Sequence, residues 1–179
     1  NLRLFDAGAL VETPFGKDNR GSVMLGGRYS YTAFLLTQLS NDTVLDYWDY
    51  QARATYNLTR DDQISVFSFG SYDYLGQSTP TGTLTLFGTE FHRVDLRYDH
   101  KIGDKGTLRV AVTPGFDRSR AQEDRYVRDR VLGTRTEYTY SISPQVLFRA
   151  GTDIQLDSYD IIEAVAAQDI MSEVDRLQT

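Results

Sequence analysis

The stretch from His92 to Val112 reads HRVDLRYDHKIGDKGTLRVAV and carries a pattern of period two on each side of a short polar turn. The charged positions before the turn are Arg93, Asp95, Arg97, Asp99 and Lys101. The positions between them are Val94, Leu96 and Tyr98. Successive side chains of a strand point to opposite faces, so this stretch predicts a strand with one charged and one apolar face. The GDKG turn at residues 103–106 predicts a hairpin.

The same alternation recurs along most of the chain. It is clear in residues 22–35, 46–58, 107–118, 132–142 and 145–157, and weaker in residues 4–12 and 63–74. Together with the stretch after His92, these segments predict eight strands, most of them ten to fourteen residues long. Strands of soluble proteins average about five or six residues, whereas strands that cross a membrane need about nine to eleven. Strand length therefore favours a membrane protein.

The predicted connections alternate between short and long. Tight turns are predicted at residues 59–62, 103–106 and 143–144, and polar loops at residues 36–45, 75–87 and 119–131. This alternation is typical of an up-and-down barrel with short periplasmic turns and long extracellular loops. We therefore predict an all-β, antiparallel, transmembrane β-barrel formed by residues 1–158. The charged residues 123–130 are expected to be a solvated part of one long loop.

The C-terminal residues have a different character. Residues 160–179 (DIIEAVAAQDIMSEVDRLQT) contain neither glycine nor proline and are rich in residues that favour helices. Their apolar residues fall roughly on one stripe. We predict that residues 159–179 form a short amphipathic helix in a loop or at the end of the chain.

The charged face is expected to line a wet interior. A lysine or arginine that faced lipid near the bilayer midplane would cost about 2–4 kcal/mol, so several of them cannot point outward. The predicted lumen-facing residues are Arg93, Asp95, Arg97, Asp99, Arg53 and Arg109. The predicted aromatic residues at the lipid interface are Tyr29, Tyr31, Trp48, Tyr50, Tyr72, Tyr74, Tyr98 and Tyr138, because aromatic belts mark the headgroup level.

Composition removes several classes of site. No apolar run reaches the length of a transmembrane helix, cysteine is absent, and the net charge of −6 argues mildly against nucleic acid or an anionic lipid surface as a partner. The two histidines, His92 and His100, are about 27 Å apart along one strand and cannot share a metal ion. We expect no metal site, no cofactor and no catalytic residues.

Two stretches resemble a known family. GGRYSYTAFLL (residues 26–36) and DYWDYQARATYNLTRDDQISVFSFGSYDYL (residues 46–75) are similar to an early barrel hairpin of TonB-dependent outer-membrane receptors. The similar features are an Arg-x-Ser-Tyr core followed by Leu-Leu, and a tyrosine-rich strand that ends in a polar turn. The resemblance implies location in the bacterial outer membrane, uptake of a small ligand, and partners that include the lipid bilayer and a TonB-type energy-coupling protein.

The chain departs from that family in three respects. It shows no plug domain and no TonB-contact segment, and it has room for about eight strands, whereas the family forms much larger barrels. It also lacks the terminal aromatic residue with which such barrels usually end. We therefore expect a segment that joins the remaining strands and plug of a longer receptor.

Two alternatives fit the same pattern. A self-contained eight-stranded outer-membrane barrel would act as a structural anchor or a surface-binding protein. A soluble ligand-binding barrel would also alternate, with its apolar face turned inward. Periodicity alone does not distinguish the inside of a barrel from its outside.

Overall fold

The computed structural model describes residues 6–31, 42–121 and 125–163, in which eight strands form one antiparallel sheet. The strands are β1 (Asp6–Phe15), β2 (Gly21–Ser30), β3 (Thr43–Asn57), β4 (Asp62–Thr79), β5 (Gly82–Ile102), β6 (Gly106–Ala121), β7 (Arg125–Ser143) and β8 (Val146–Glu163). Their spatial order is their sequence order, so the predicted all-β, up-and-down topology is confirmed. Within the described residues β1 and β8 do not pair, so the sheet has two open edges and is not a closed barrel.

The short connections lie together at one end of the sheet, which we call the turn rim. They comprise residues 16–20, 58–61, 103–105 and 144–145. The first contains a 3-10 turn over Lys17–Asn19, with positive φ angles at Asp18 and Asn19. Gly103 opens its hairpin with a φ of 54°, a conformation that glycine adopts without steric cost. The tight turns predicted near residues 59–62, 103–106 and 143–144 are therefore confirmed.

Two predicted loops at the opposite end are wrong. The segment 75–87 belongs mainly to β4 and β5, which are joined only by Pro80 and Thr81, and most of the segment 119–131 belongs to β6 and β7. In the described part of residues 119–131 the strands continue, but both faces carry polar residues, so hydrophobic alternation disappears although the backbone stays extended. In residues 75–87 alternation persists at Leu84 and Leu86, but the preceding glycine, serine, threonine and proline residues are typical of a loop. Most of the predicted loop 36–45 lies outside the described residues.

The last strand is longer than predicted. β8 continues to Glu163, so residues 159–163, which we assigned to the tail helix, form strand. They pair with residues Arg125 to Asp129 at the start of β7. The remainder of the predicted helix, residues 164–179, lies outside the described residues.

The sheet is a single layer without a conventional core. Among the described residues the only buried hydrophobic side chain is Ala111, whereas Val11, Leu25 and Leu156 are each more than half exposed. The described part of the chain has no helix with the length and apolarity to span a bilayer. An uncovered apolar sheet is unstable in water because apolar area must leave water to stabilise a fold. The apolar face therefore requires a covering medium or partner.

The strand register aligns the apolar residues in rows. One row crosses all eight strands through directly paired positions. Its members are Thr13, Val23, Ala54, Val66, Leu96, Val112, Thr134 and Ile154. No charged side chain interrupts it. We call this side of the sheet the apolar face and the other side the charged face.

Aromatic rings bound the apolar face at both ends. Toward the turn rim lie Phe15, Tyr56, Tyr98, Tyr138, Tyr140 and Phe148, and toward the opposite rim lie Tyr29, Trp48, Tyr50, Tyr72, Tyr74 and Phe116. From Trp48 to Tyr56 the backbone advances about 27 Å. Toward the turn rim the aromatic boundary shifts along the sheet, from two residues beyond the apolar row at Phe15, Tyr56 and Tyr98 to six residues beyond it at Tyr140 and Phe148, so this boundary crosses the strands obliquely.

A glycine makes room for one of the aromatic clusters. Gly70 pairs with Tyr50 on one side and with His92 on the other. The Tyr50 hydroxyl reaches across it to Nδ1 of His92 at 3.1 Å, and the ring of Trp48 lies 6.2 Å from that of His92. A Cβ atom at position 70 would approach the Phe91 carbonyl oxygen to 2.5 Å. This glycine is therefore required by close packing.

Candidate functional site

Ion pairs extend over the charged face from β1 to β8. They are Arg53–Glu12, Arg28–Asp49, Arg97–Asp95, Arg93–Asp117, Arg109–Asp99, Arg149–Glu137 and Arg135–Asp153. Most of them join neighbouring strands, where directly opposed or diagonal side chains are within reach. Their side chains stay partly exposed, so each pair contributes modestly to stability. The face is wettable and carries both signs of charge.

The best-formed pair is Arg93 with Asp117. Two guanidinium nitrogens of Arg93 each lie 2.6 Å from an Asp117 carboxylate oxygen, and this bidentate geometry fixes the side chain of Arg93. Gly115, the cross-strand partner of Arg93, permits the arrangement because a Cβ there would lie 2.5 Å from Cδ of Arg93.

Two further sets of contacts lie at the centre of the charged face. Asp95 accepts a hydrogen bond of 3.0 Å from the Thr113 hydroxyl and lies 3.0 Å from a guanidinium nitrogen of Arg97. Arg109 donates from Nε to Asp99 at 2.7 Å. These contacts hold alternating positive and negative groups in fixed positions on β5 and β6.

An open depression with a volume of about 270 Å³ occupies the middle of the charged face, over β5 to β8. Four of the predicted lumen-facing residues line it, namely Arg93, Asp95, Arg97 and Arg109. Asp99 lies beside it through its contact with Arg109. Arg53 is on the same face but on β3, where it pairs with Glu12 at 3.7 Å. The structure thus places all six predicted residues on one face and brings four of them together.

Other residues of the depression were not predicted as site residues. They include Thr113, Arg135 and Gln155. Their alternation with apolar neighbours is visible in the sequence, but their proximity to Arg93 depends on strand register. Register is set by pairing across several strands and is not contained in one strand's pattern.

Three phenylalanines form an apolar patch on the otherwise charged face. The rings of Phe67 and Phe69 stack with centroids 5.1 Å apart, and Phe91 meets Phe69 edge-on at 5.9 Å. Phe67 and Phe69 pair with Asp95 and Arg93 across β4 and β5. A ligand at the depression would therefore meet charged groups beside aromatic rings.

The predicted interface aromatics lie on the apolar face with one exception. Tyr29, Trp48 and Tyr72 are direct partners in one row, with the rings of Trp48 and Tyr72 stacked at 5.9 Å. Tyr50, Tyr74, Tyr98 and Tyr138 are on the same face. Tyr31 follows the last residue of β2 and belongs to no strand.

A polar anchor lies on the turn rim beside the aromatic rings. The hydroxyl of Tyr98 donates to Asp62 at 2.6 Å, and Nδ1 of His100 lies 2.7 Å from the same carboxylate oxygen. Hydrogen bonds from Thr59, Tyr98 and His100 lower the pKa of the Asp62 carboxyl to about 2. The ionised carboxylate thus holds two rings at the level of the Thr59–Asp62 turn.

The charged face carries partly exposed ion pairs of both signs. In residues 6–31, 42–121 and 125–163 no group of three or more potential ligands is placed to hold a metal ion. No family model matches the sequence, and no curated protein sequence is significantly similar to it. The geometry of the two faces is therefore the basis for a functional proposal.

Proposed function

We propose that this chain is part of the wall of an outer-membrane β-barrel of bacteria that carries a small ligand across the membrane. The apolar face would lie against lipid, and the charged face would line a water-filled interior. The observation that best supports this proposal is the row across eight strands that no charged side chain interrupts, with aromatic rings on both sides of it. Transmembrane barrels have an outward apolar band of about 25 Å between aromatic girdles.

The open edges favour a segment of a larger barrel over a self-contained eight-stranded barrel. Within the described residues neither β1 nor β8 has a second partner, and unpaired backbone N–H and C=O groups cannot remain exposed to hydrocarbon. Additional strands on both edges would satisfy them. This arrangement agrees with the resemblance to TonB-dependent receptors, and that resemblance implies a plug and an energy-coupling protein as partners.

The ligand would pass along the charged face without chemical conversion. Arg93, Asp95, Arg97 and Arg109 would contact it at the depression, and the phenylalanine patch of Phe67, Phe69 and Phe91 would contact its apolar parts. The charged face carries both arginine and aspartate side chains. It would therefore form ion pairs with a ligand that has positive or negative groups. The outer ends of β4 to β7 would form the entrance, in place of the long loops expected from the sequence.

The proposal predicts that the polypeptide enters lipid, where the open edges of β1 and β8 would pair with those of other copies in place of additional strands. After refolding in the presence of phosphatidylcholine vesicles, it should float with the vesicles in a density gradient and resist extraction by alkaline carbonate. A compact gel band that shifts on boiling would indicate closure by these strands alone, and would favour the small-barrel alternative. A monomer that folds in plain buffer and does not bind the vesicles would contradict membrane insertion and favour a soluble barrel.

A further inference from the structure

The apolar face changes character abruptly beyond its aromatic rings. One row of directly paired positions runs from Tyr72 through Glu90, Arg118 and Arg128 to Asp160. Arg120 lies on the next row outward, and Arg130 on the next row inward. We call Arg118, Arg120, Arg128 and Arg130 the arginine cluster. It lies on the same face as the apolar band, immediately outside it.

The cluster contains an unfavourable contact that an anion would relieve. Arg118 and Arg128 are direct cross-strand partners, and like charges in that position destabilise a sheet. The Tyr126 ring is shared between them, with its centroid 5.6 Å from the Arg118 guanidinium carbon and 5.3 Å from that of Arg128. This shared ring orients both guanidinium groups but does not neutralise them.

The acidic residues nearby compensate for only part of this charge. Glu90 lies 3.5 Å from Arg118, and Asp160 lies 3.7 Å from Arg130. Within the described ranges, Arg120 and Arg128 form no ion pair with a carboxylate. The cluster therefore presents positive charge on a chain whose net charge is −6.

A recess adjoins the cluster at the aromatic boundary. It is half open, has a volume of about 100 Å³ and is lined by Tyr72, Tyr74, Gly88, Thr89, Glu90, Arg118 and Arg120. Gly88 leaves it open, because it carries no side chain between its two cross-strand partners, Tyr74 and Arg120. An aromatic wall and two guanidinium groups thus meet at one notch.

We propose that the arginine cluster binds the phosphate-bearing headgroup of an anionic lipid. This inference rests on the proposed function, in which the apolar face lies against the bilayer. The cluster then lies at headgroup level, because Arg118 and Arg128 share the row of Trp48 and Tyr72, and Arg130 is the direct partner of Phe116. Guanidinium groups bind phosphate oxygens in bidentate fashion, and basic residues at a membrane surface attract anionic lipid. A lipid fits better than a free anion, because its acyl chains would cover the apolar band below.

The test compares lipids that remain bound to the protein. The refolded polypeptide is reconstituted in phosphatidylcholine with a minor fraction of phosphatidylglycerol, extracted in a neutral detergent, and its retained lipids are quantified by mass spectrometry. Phosphatidylglycerol should be enriched over its bulk fraction. Substitution of both central arginines, R118Q/R128Q, should lower that enrichment about tenfold. The matched variant R60Q/R149Q, which removes the same charge elsewhere, should retain it.

The outcomes separate this inference from the proposal on which it rests. Protein that enters neutral vesicles but retains no excess phosphatidylglycerol would overturn the lipid site and leave membrane insertion intact. An equal loss of phosphatidylglycerol enrichment in both double variants would also overturn the lipid site, because the enrichment would then depend only on net charge. Displacement of the lipid by inorganic phosphate would assign the cluster to a free anion. Failure to enter vesicles of either composition would remove both proposals.

Discussion

Replacement of Ile154 by arginine is expected to destabilise the membrane-inserted fold by about 2–4 kcal/mol, the cost of a cation near the bilayer midplane. Ile154 belongs to the central apolar row and is 57% exposed on the sheet surface. Few protein contacts would therefore be lost, and nearly all of the effect would come from the surrounding medium. The measurement is the denaturant midpoint of protein refolded in phosphatidylcholine vesicles.

The matched control is the adjacent residue on the opposite face. Gln155 is also exposed on β8 and lies beside Asp153 and Asp157, and its amide contacts the Asp157 carboxylate at 3.0 Å. An arginine at this position would meet water and carboxylates, so the Gln155→Arg variant should keep the midpoint of the unmodified protein. A larger loss for Gln155→Arg than for Ile154→Arg would mean that the assignment of the two faces is reversed.

Replacement of Gly70 by alanine should cost about 1–3 kcal/mol through overpacking. The new Cβ atom would meet three groups at short distance: the Phe91 carbonyl oxygen, Nδ1 of His92 and the ring of Tyr50. The backbone oxygen cannot move without disturbing the β4–β5 ladder. Trp48, the only tryptophan in the chain, lies in the same aromatic cluster, so its fluorescence should report the lower denaturant midpoint directly.

Gly27 provides the control for this substitution. It pairs with Tyr50 from the other side, and a Cβ atom there would have the Asp49 carbonyl oxygen at 3.6 Å as its nearest contact. Gly27→Ala should therefore leave the midpoint within about 0.5 kcal/mol of the original. If both alanine variants were equally stable, the close packing of Gly70 against β5 would be wrong.

The sequence predicted the fold best where the two faces differ in polarity. Between Arg93 and Lys101 charged and apolar residues alternate strictly, so the residue type at each position indicates the face to which it belongs. The strand register places these residues on the indicated faces. Phe67 and Phe69 lie on the charged face, and this position explains why the alternation of residues 63–74 is weaker. These successes come from local alternation, which a single strand contains in full.

Prediction failed where both faces have the same polarity. Residues 119–131 alternate little in hydropathy, so the outer ends of β6 and β7 looked like a solvated loop, and the arginine cluster was overlooked. The Arg93–Asp117 pair could not be predicted either, because it joins residues on two strands whose register is set by the whole sheet. The sequence of a single strand therefore shows which of its residues share a face. It does not show which residues they pair with on neighbouring strands.

The most direct test of the central claim is the accessibility of single cysteines along β6. The chain has no cysteine, so each variant carries one reporter. In the vesicle-inserted protein, cysteine at Thr107 or Thr113 should react quickly with a charged, membrane-impermeant maleimide. Cysteine at Val110 or Val112 should react only with a lipid-soluble reagent. Rapid reaction of Val110 and Val112 positions with the charged maleimide, with protection at Thr107 and Thr113, would contradict a lipid-facing apolar band.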